Sequence, residues 1–495
     1  MGILDVFKRS PKKPQRRNYA AANKGRLFAD FRGSNRSADS EIRWALRDIR
    51  NRSRDLERNN EYFRRYLQLL RTNVVGENGF NVQVKGRNRG GELDRSGNAI
   101  VESAWKEFSR IGGPTVDGCM SMVDLTNHVI TAMARDGEVF LQIVKGRYLR
   151  HGIAVQIVEP DLVDEEKNEL APNGNQIRMG VEIDERTKRP VAYHVLNYHK
   201  GDYDYMMPKN DKKYTRVPAE QMMHIFRPER AGQTRGVPWS TAAITSLKML
   251  HGYREAELIA ARTGASKMGF FTSPAGDGFT ADGYDDEDSV IPLYDAEAGT
   301  FHQLPAGVSF TPFDPTHPTS AFADFEKSIL RGIAGGLGVS YTSLANDLEG
   351  TSYSSIRQGA LEERDFYKTL HRFMIDHFLD PLYRIWLETV MDMGFIPISG
   401  DPKLFKFTQD VTWRGRGFSW VDPLKEMNAA VVGLQNGILS HSDIAATYGR
   451  DAEETFAQIE RDKETAEAFG LNMAYQPFGD KLPVPAEGQD VEQAD

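Results

Sequence analysis

Phe325-Glu-Lys-Ser-Ile-Leu-Arg-Gly-Ile-Ala-Gly-Gly-Leu-Gly-Val-Ser-Tyr341 is the stretch on which the reading of this chain turns. It predicts a helix from about Ser320 to Gly335 that breaks at Gly335, Gly336 and Gly338, because glycine gives up helix stability and tolerates other backbone conformations. An irregular polar run follows to Ser354, containing Ser340, Thr342, Ser343, Asn346, Thr351 and Ser352. The glycine run is no dinucleotide loop. That fingerprint must follow a strand, and here it follows a helix. The expectation is mechanical: a hinge or contact loop ahead of a long rigid helix.

Both flanks support that picture. Upstream, 239–267 reads as a helix of about 40 Å starting after Pro238, with Ser240 as its cap. Between the two helices, 269–318 is rich in Gly, Asp and Pro with short apolar runs such as Ser289–Tyr294 and Gly307–Thr311, which reads as a small β module. Downstream, Ser355–Met393 reads as a second long helix carrying Phe366, Tyr367, Phe373, Phe378, Tyr383 and Trp386. Shorter helices follow at Pro423–Asn436, Ser442–Tyr448 and Asp451–Phe469, ahead of a Pro/Glu/Asp tail expected to be disordered.

Toward the N-terminus, residues 1–37 read as a flexible basic arm. From Ser40 to Arg71, Ile42, Leu46, Ile49, Leu56, Phe63, Tyr66, Leu67 and Leu70 recur at helical spacing among arginines, predicting one or two amphipathic helices. Their basic face is either simply solvated or turned toward an acidic partner or DNA. Strand-like stretches at Asn81–Arg87, Glu138–Val144, Val155–Val158, Met179–Ile183 and Val191–Leu196 alternate with helices at Ile100–Ile111 and Met122–Arg135, hence an α+β fold with antiparallel sheet.

The chain of 495 residues has room for two to four domains and carries a net charge of −8. That total hides an asymmetry. Met1–Arg71 holds 19 Lys and Arg against 8 Asp and Glu, so the rest of the chain is at −19. An acidic body is a poor gripper of DNA, since phosphate binding needs clustered cations. Cys119 is the only cysteine, which leaves no disulfide framework and no thiolate metal site. No apolar run approaches the length of a membrane span, and the start lacks the long apolar core of a signal peptide, so synthesis in the cytoplasm is expected.

Motifs for the common chemistries are missing. No GxxxxGK[ST] phosphate loop, HExxH, EF-hand loop or GxSxG elbow can be read. The histidines, among them His128, His194, His199, His224, His251, His371 and His377, have no tight ligand spacing. Asp285–Asp288 and Glu362–Asp365 read as solvated charged faces. No catalytic residue, cofactor or metal site is expected.

The order and spacing of several stretches resemble the portal proteins of lambda-like tailed phages. They are Arg135-Asp-Gly-Glu-Val-Phe-Leu141, Val158-Glu-Pro-Asp-Leu162, His224–Trp239, and Phe325–Tyr341 with Leu344, Tyr353 and Ser354, spanning about residues 50 to 465. The resemblance implies a portal fold: a mixed α/β wing (38–237 and 355–419), a two-helix stem (238–268 and 319–339), a small β-containing clip (269–318), a channel loop (340–354) and a helical crown (420–470), between the arm at 1–37 and the tail at 471–495. It implies a dodecameric ring at one capsid vertex of the virion, made in the bacterial cytoplasm, through which double-stranded DNA passes without sequence specificity. Terminase, major capsid or scaffold protein, and head-completion or connector proteins are the further partners implied, with no membrane. By this likeness Asn346, Asp347, Glu349, Gly350, Thr351, Ser352 and Tyr353 approach the DNA, and Gly335, Gly336 and Gly338 form a hinge. The loop 340–354 carries no Lys or Arg, which suits a wall that must not hold phosphates. The competing readings are another virion component, such as a head–tail adaptor or minor capsid protein, and a metal-dependent nucleic-acid hydrolase.

Overall fold

The computed structural model describes residues 33, 35–88, 90–202, 213–265, 269–272, 309–312, 322–350, 352–396, 406–418 and 423–471. The arm at 1–37 lies almost wholly outside these, as do most of 269–318, including Asp285–Asp288, and the tail beyond Leu471.

The chain enters through α1 (Ala38–Asn59) and α2 (Glu61–Leu70), continued by one π-helical turn, Arg71–Val75. Asn60 breaks the run: its extended backbone ends α1, and its side chain accepts the Phe63 amide at 2.9 Å to start α2. The basic face of α1 faces acidic groups of its own chain. Arg50 is fully buried and Arg54 partly so, their guanidiniums on Glu138, Asp136 and Asp161. The solvated-face reading fails there because the acidic partners sit about a hundred residues further along.

After β1 (Asn81–Val84) come α3 (Arg95–Phe108) and α4 (Met122–Asp136), the latter opened by a Ser121/Asp124 capping box and closed by Gly137 at φ +91°. Eight strands follow: β2 (Glu138–Lys145), β3 (Ile153–Val158), β4 (Glu169–Leu170), β5 (Gln176–Arg178), β6 (Val181–Ile183), β7 (Pro190–Leu196), β8 (Tyr214–Pro218) and β9 (Met222–Phe226). They form a three-stranded sheet in the order β3-β2-β9 and a five-stranded sheet in the order β4-β5-β6-β7-β8. Every strand–strand pairing within the two sheets is antiparallel, as the alternating apolar pattern predicts. A small core of Phe140, Val158, Val163, Val181, Tyr193, Val217 and Met222 joins the two sheets.

Helix α5 (Ile244–Ala265) starts later than Pro238 suggests, because Trp239–Ala243 forms tight turns. Ser240 is no cap: its buried hydroxyl meets Ser53 Oγ at 3.0 Å, tying the turn to α1. Strands β10 (Gly269–Thr272) and β11 (Ser309–Pro312) pair antiparallel, and α6 (Phe322–Leu337) returns.

Gly335 and Gly336 do not break the helix. Both lie inside α6, and only Gly338, at φ +74°, ends it. Two helical glycines together cost about 2 kcal/mol relative to alanine. Burial of Leu330, Ile333, Ala334 and Leu337 around them outweighs that. The predicted irregular stretch is also partly helical, as α7 (Tyr341–Ala345). Helix α8 (Tyr353–Met374) runs through a π turn at Ile375–Leu379 into α9 (Asp380–Asp392). Its aromatic residues are core: Tyr367, Phe378, Tyr383 and Trp386 are buried, and Trp105 packs edge-on against Tyr383 and Trp386 at 5.4 and 5.0 Å. β12 (Val411–Arg414) pairs with β1, and three helices, Pro423–Gln435, His441–Thr447 and Ala452–Ala468, close the described chain.

Candidate functional site: the helix hairpin and its loop

Helices α5 and α6 lie antiparallel. A Cβ on Gly336, near the end of α6, comes within 4.0 Å of Ala243, just before α5, while further out Tyr253 meets Phe322 and Phe325 at 5.6 and 5.3 Å. Near the body the pair is rooted in the main core by Leu247, Leu250, Leu330, Ile333 and Leu337. On the open faces of the pair, Met249, Leu258, Ile259 and Phe325 are exposed. The β10–β11 pair connects the far ends.

At the root of the hairpin sits the loop. Asn346 adopts the left-handed conformation that ends α7, Gly350 follows at φ +68°, and Ser352 caps α8 by accepting the Ser355 amide. Asp347 is latched. The Tyr341 hydroxyl donates to it at 2.7 Å and the Glu349 amide at 3.0 Å, and Lys327 reaches over from α6, 3.5 Å from Asp347 and 3.7 Å from Glu349. The Tyr341 hydroxyl and the Glu349 amide hold the Asp347 carboxyl below its ordinary range. The loop region therefore includes one cation, with two carboxylates beside it. Thr351 and the Tyr353 side chain lie outside the described residues.

Glu363 is not the solvated charge its neighbours suggest. One oxygen accepts from Ser340 and Ser343 at 3.0 and 2.7 Å, the other from Tyr367 at 2.7 Å, so α7 is fastened to α8. Arg65 of α2 adds a bond to the Ser343 carbonyl at 3.2 Å. Sequence reasoning missed Lys327, Tyr341 and Glu363. A trace of Lys327 was present, since it lies four residues before Arg331 on the helix leading into the loop, but nothing local says which way it points.

Among the described residues one trio of potential metal ligands converges, Glu159, Asp161 and His199, with ligand atoms within 4.8 Å of one another. Arg54 already faces both carboxylates, and Arg50 pairs with Asp161, so the trio completes an ion-pair network.

The described chain is thus a body of helices over antiparallel sheets, carrying a rooted helix hairpin and a latched polar loop. The family model for phage portal proteins of the lambda family matches residues 24–371. A probable portal protein of Halomonas phage phiHAP-1 is 36% identical over 93% of this chain and 88% of its own, and portal protein B of Escherichia phage lambda is 26% identical over 85% and 84%. Among solved structures, the neck of a native GTA particle computed with C12 symmetry aligns with a TM-score of 0.41 and 14% identity over 86% of this chain and 99% of that one. The chain belongs to the lambda family of phage portal proteins. It is a structural component of the virion, placed at the capsid vertex, and not an enzyme.

Proposed function

We propose that twelve copies of this chain close into a ring around a central channel for DNA packaging and ejection. Residues 38–237 and 355–419 form the wing, α5 and α6 the stem, 269–318 the clip that docks terminase and later the head-completion proteins, and 420–470 the crown. The observation that carries this reading is the antiparallel α5–α6 hairpin, rooted in the body and joined through β10–β11. A closed ring needs two different contact patches on each subunit. Exposed Met249, Leu258, Ile259 and Phe325 on the hairpin, and Leu424, Ile438 and Phe469 on and between the C-terminal helices and at their end, supply apolar surface for them. Asn346, Asp347, Glu349, Gly350, Thr351, Ser352 and Tyr353 face the passing DNA. With Lys327 held against two carboxylates, this surface offers no clustered cations to retain phosphate.

Electron microscopy and native mass of the purified chain, and of heads assembled with it, test the ring. Open rings near twelve chains are expected. Subunits that stay monomeric in both preparations overturn the proposal. Replacing Asp347 and Glu349 with lysine should then slow DNA filling of heads without changing ring mass.

A further inference from the structure

The three helices that close the described chain, α10 (Pro423–Gln435), α11 (His441–Thr447) and α12 (Ala452–Ala468), contribute to neither hydrophobic core. Among their described residues the only buried side chains are Ala430, Ala452 and Ala466. Polar contacts tie them to the body, with Arg357 3.7 Å from Glu426 and Arg414 3.1 Å from Asp451.

Helix α12 turns a regular stripe outward. Glu453, Phe456, Glu460, Glu464 and Glu467 are 3, 4, 4 and 3 residues apart, which puts all five on one helix face, and all five are exposed. The four glutamates form no ion pair with a described residue. Phe456 stands among them 44% exposed, its ring 6.0 Å from that of His441 on α11. A groove of about 250 Å³ between α10 and α11 is lined by Ala429, Ala430, Leu439 and Ile444 together with Glu426 and Asp443; those two carboxylates already face Arg357 and the start of α11. The charge at the head of α12 is felt in the body. Burial raises the Glu102 carboxyl above its ordinary range, and Asp451, Glu454 and Glu453 push it the same way.

An acidic helix face with an aromatic side chain in its midst fits a basic segment that carries apolar side chains. This chain holds one. Residues 1–32 contain 9 Lys and Arg against 2 Asp and no Glu, with Ile3, Leu4, Phe7 and Phe28 among them. The arginines of α1 are a poorer match, since Arg47, Arg50 and Arg54 already pair with carboxylates of the body. Extended, the 32 residues reach about 100 Å, against about 25 Å for the length of α12.

We infer that the N-terminal arm, residues 1–32, docks along the exposed face of α12, its cations over the four glutamates and an apolar side chain against Phe456. Arm and helix are present on every copy, so the contact can form within one subunit or between neighbours, and the inference does not rest on the proposed ring.

The test is zero-length carbodiimide cross-linking of the full-length protein, which joins a lysine amine to a carboxylate, read by peptide mass spectrometry. Lys8, Lys12, Lys13 and Lys24 should link to Glu453, Glu460, Glu464 and Glu467 in preference to other carboxylates. The yield should fall about five-fold between about 0.05 and about 0.5 M salt, because exposed charges are screened. Phe456→Ser should lower it about three-fold with every charge kept. Glu460→Gln combined with Glu464→Gln should lower linking to the remaining Glu453 and Glu467 by about as much. Glu185→Gln, in an exposed turn elsewhere, should leave the yield within about two-fold. Arm links spread evenly over the acidic body overturn the inference. So do yields unchanged in the α12 variants, or α12 glutamates that link to lysines of the body in place of the arm.

Discussion

Arg235 grips Glu138 with its Nε 2.8 and 3.0 Å from the two carboxylate oxygens and its Nη2 at 2.7 Å, both side chains fully buried. The remaining Arg235 donors reach the carbonyls of Val163, Met179 and Pro160, so one side chain ties β2 to the loops of the five-stranded sheet. Glu138 also takes Arg50 at 2.8 Å, His224 at 2.9 Å and the Gly236 amide at 2.9 Å. Two glycines permit this meeting. A Cβ on Gly236 would lie 2.1 Å from the Gly137 carbonyl oxygen, and one on Gly137 would lie 2.4 Å from Val237.

Truncating one partner should be costly, because the other charge is left buried and unpaired. Arg235→Ala should destabilise by about 3–5 kcal/mol. Replacing Glu138 with glutamine should also destabilise, since Arg50 and Arg235 then share no anion there. Urea denaturation followed by tryptophan fluorescence measures both, and a loss under about 1 kcal/mol in either would contradict this account.

Acid should unfold the protein in two ranges. Burial lowers His128, His151, His194, His224 and His371 below the ordinary value of 6.5. Burial works against the Glu138 carboxylate, but Arg235, His224 and Arg50 outweigh it and hold the group far below 4.5, while Arg216 brings Glu182 to about 2. For each of these groups the unfolded chain binds protons more readily, so stability rises with pH. The stability is fully present above pH 6.5, erodes first as the unfolded histidines protonate, and falls further from pH 4.5 toward 2. Denaturation midpoints across pH 3–8 should show both steps, and Glu182→Gln should flatten the lower one.

The glycines around the end of α6 should respond with opposite signs. Gly335 is helical with open space where a Cβ would go, so Gly335→Ala should stabilise the isolated subunit by about 0.5–1 kcal/mol. Gly338 is left-handed, and Gly338→Ala should cost about 1–2 kcal/mol. Thermal denaturation of the two variants measures the difference, and equal signs would favour a hinge over a helix end.

The loop latch should open without global loss. Tyr341→Phe removes the hydroxyl from Asp347, and amide exchange at 347–350 should quicken about ten-fold while exchange in α8 stays unchanged. Unaltered loop exchange would mean that Lys327 and the backbone alone hold the loop.

Much of the element order was legible because helices and strands are written in short-range periodicity. Ile42 to Leu70 marked α1 and α2, and Glu138–Val144 marked β2 nearly to the residue. The same holds for the polar, cation-free composition of 340–354 and for the family motifs. Strands as short as Glu169–Leu170 and Val411–Arg414 carried too few residues for a period to show, and they depend on partners elsewhere. What the tertiary structure alone decided is where charge goes. Arg50 and Arg54 look like surface residues on a helix wheel, yet Arg50 is buried and Arg54 half-buried, because Glu138 and Asp161 arrive from 88 and 107 residues away. Lys327 reaches the loop's two carboxylates, and Glu363 fastens α7 to α8, across separations no local pattern encodes. Gly335 and Gly336 stay helical for a related reason: intrinsic propensity is worth about 1 kcal/mol per residue, and burial of the neighbouring side chains is worth more.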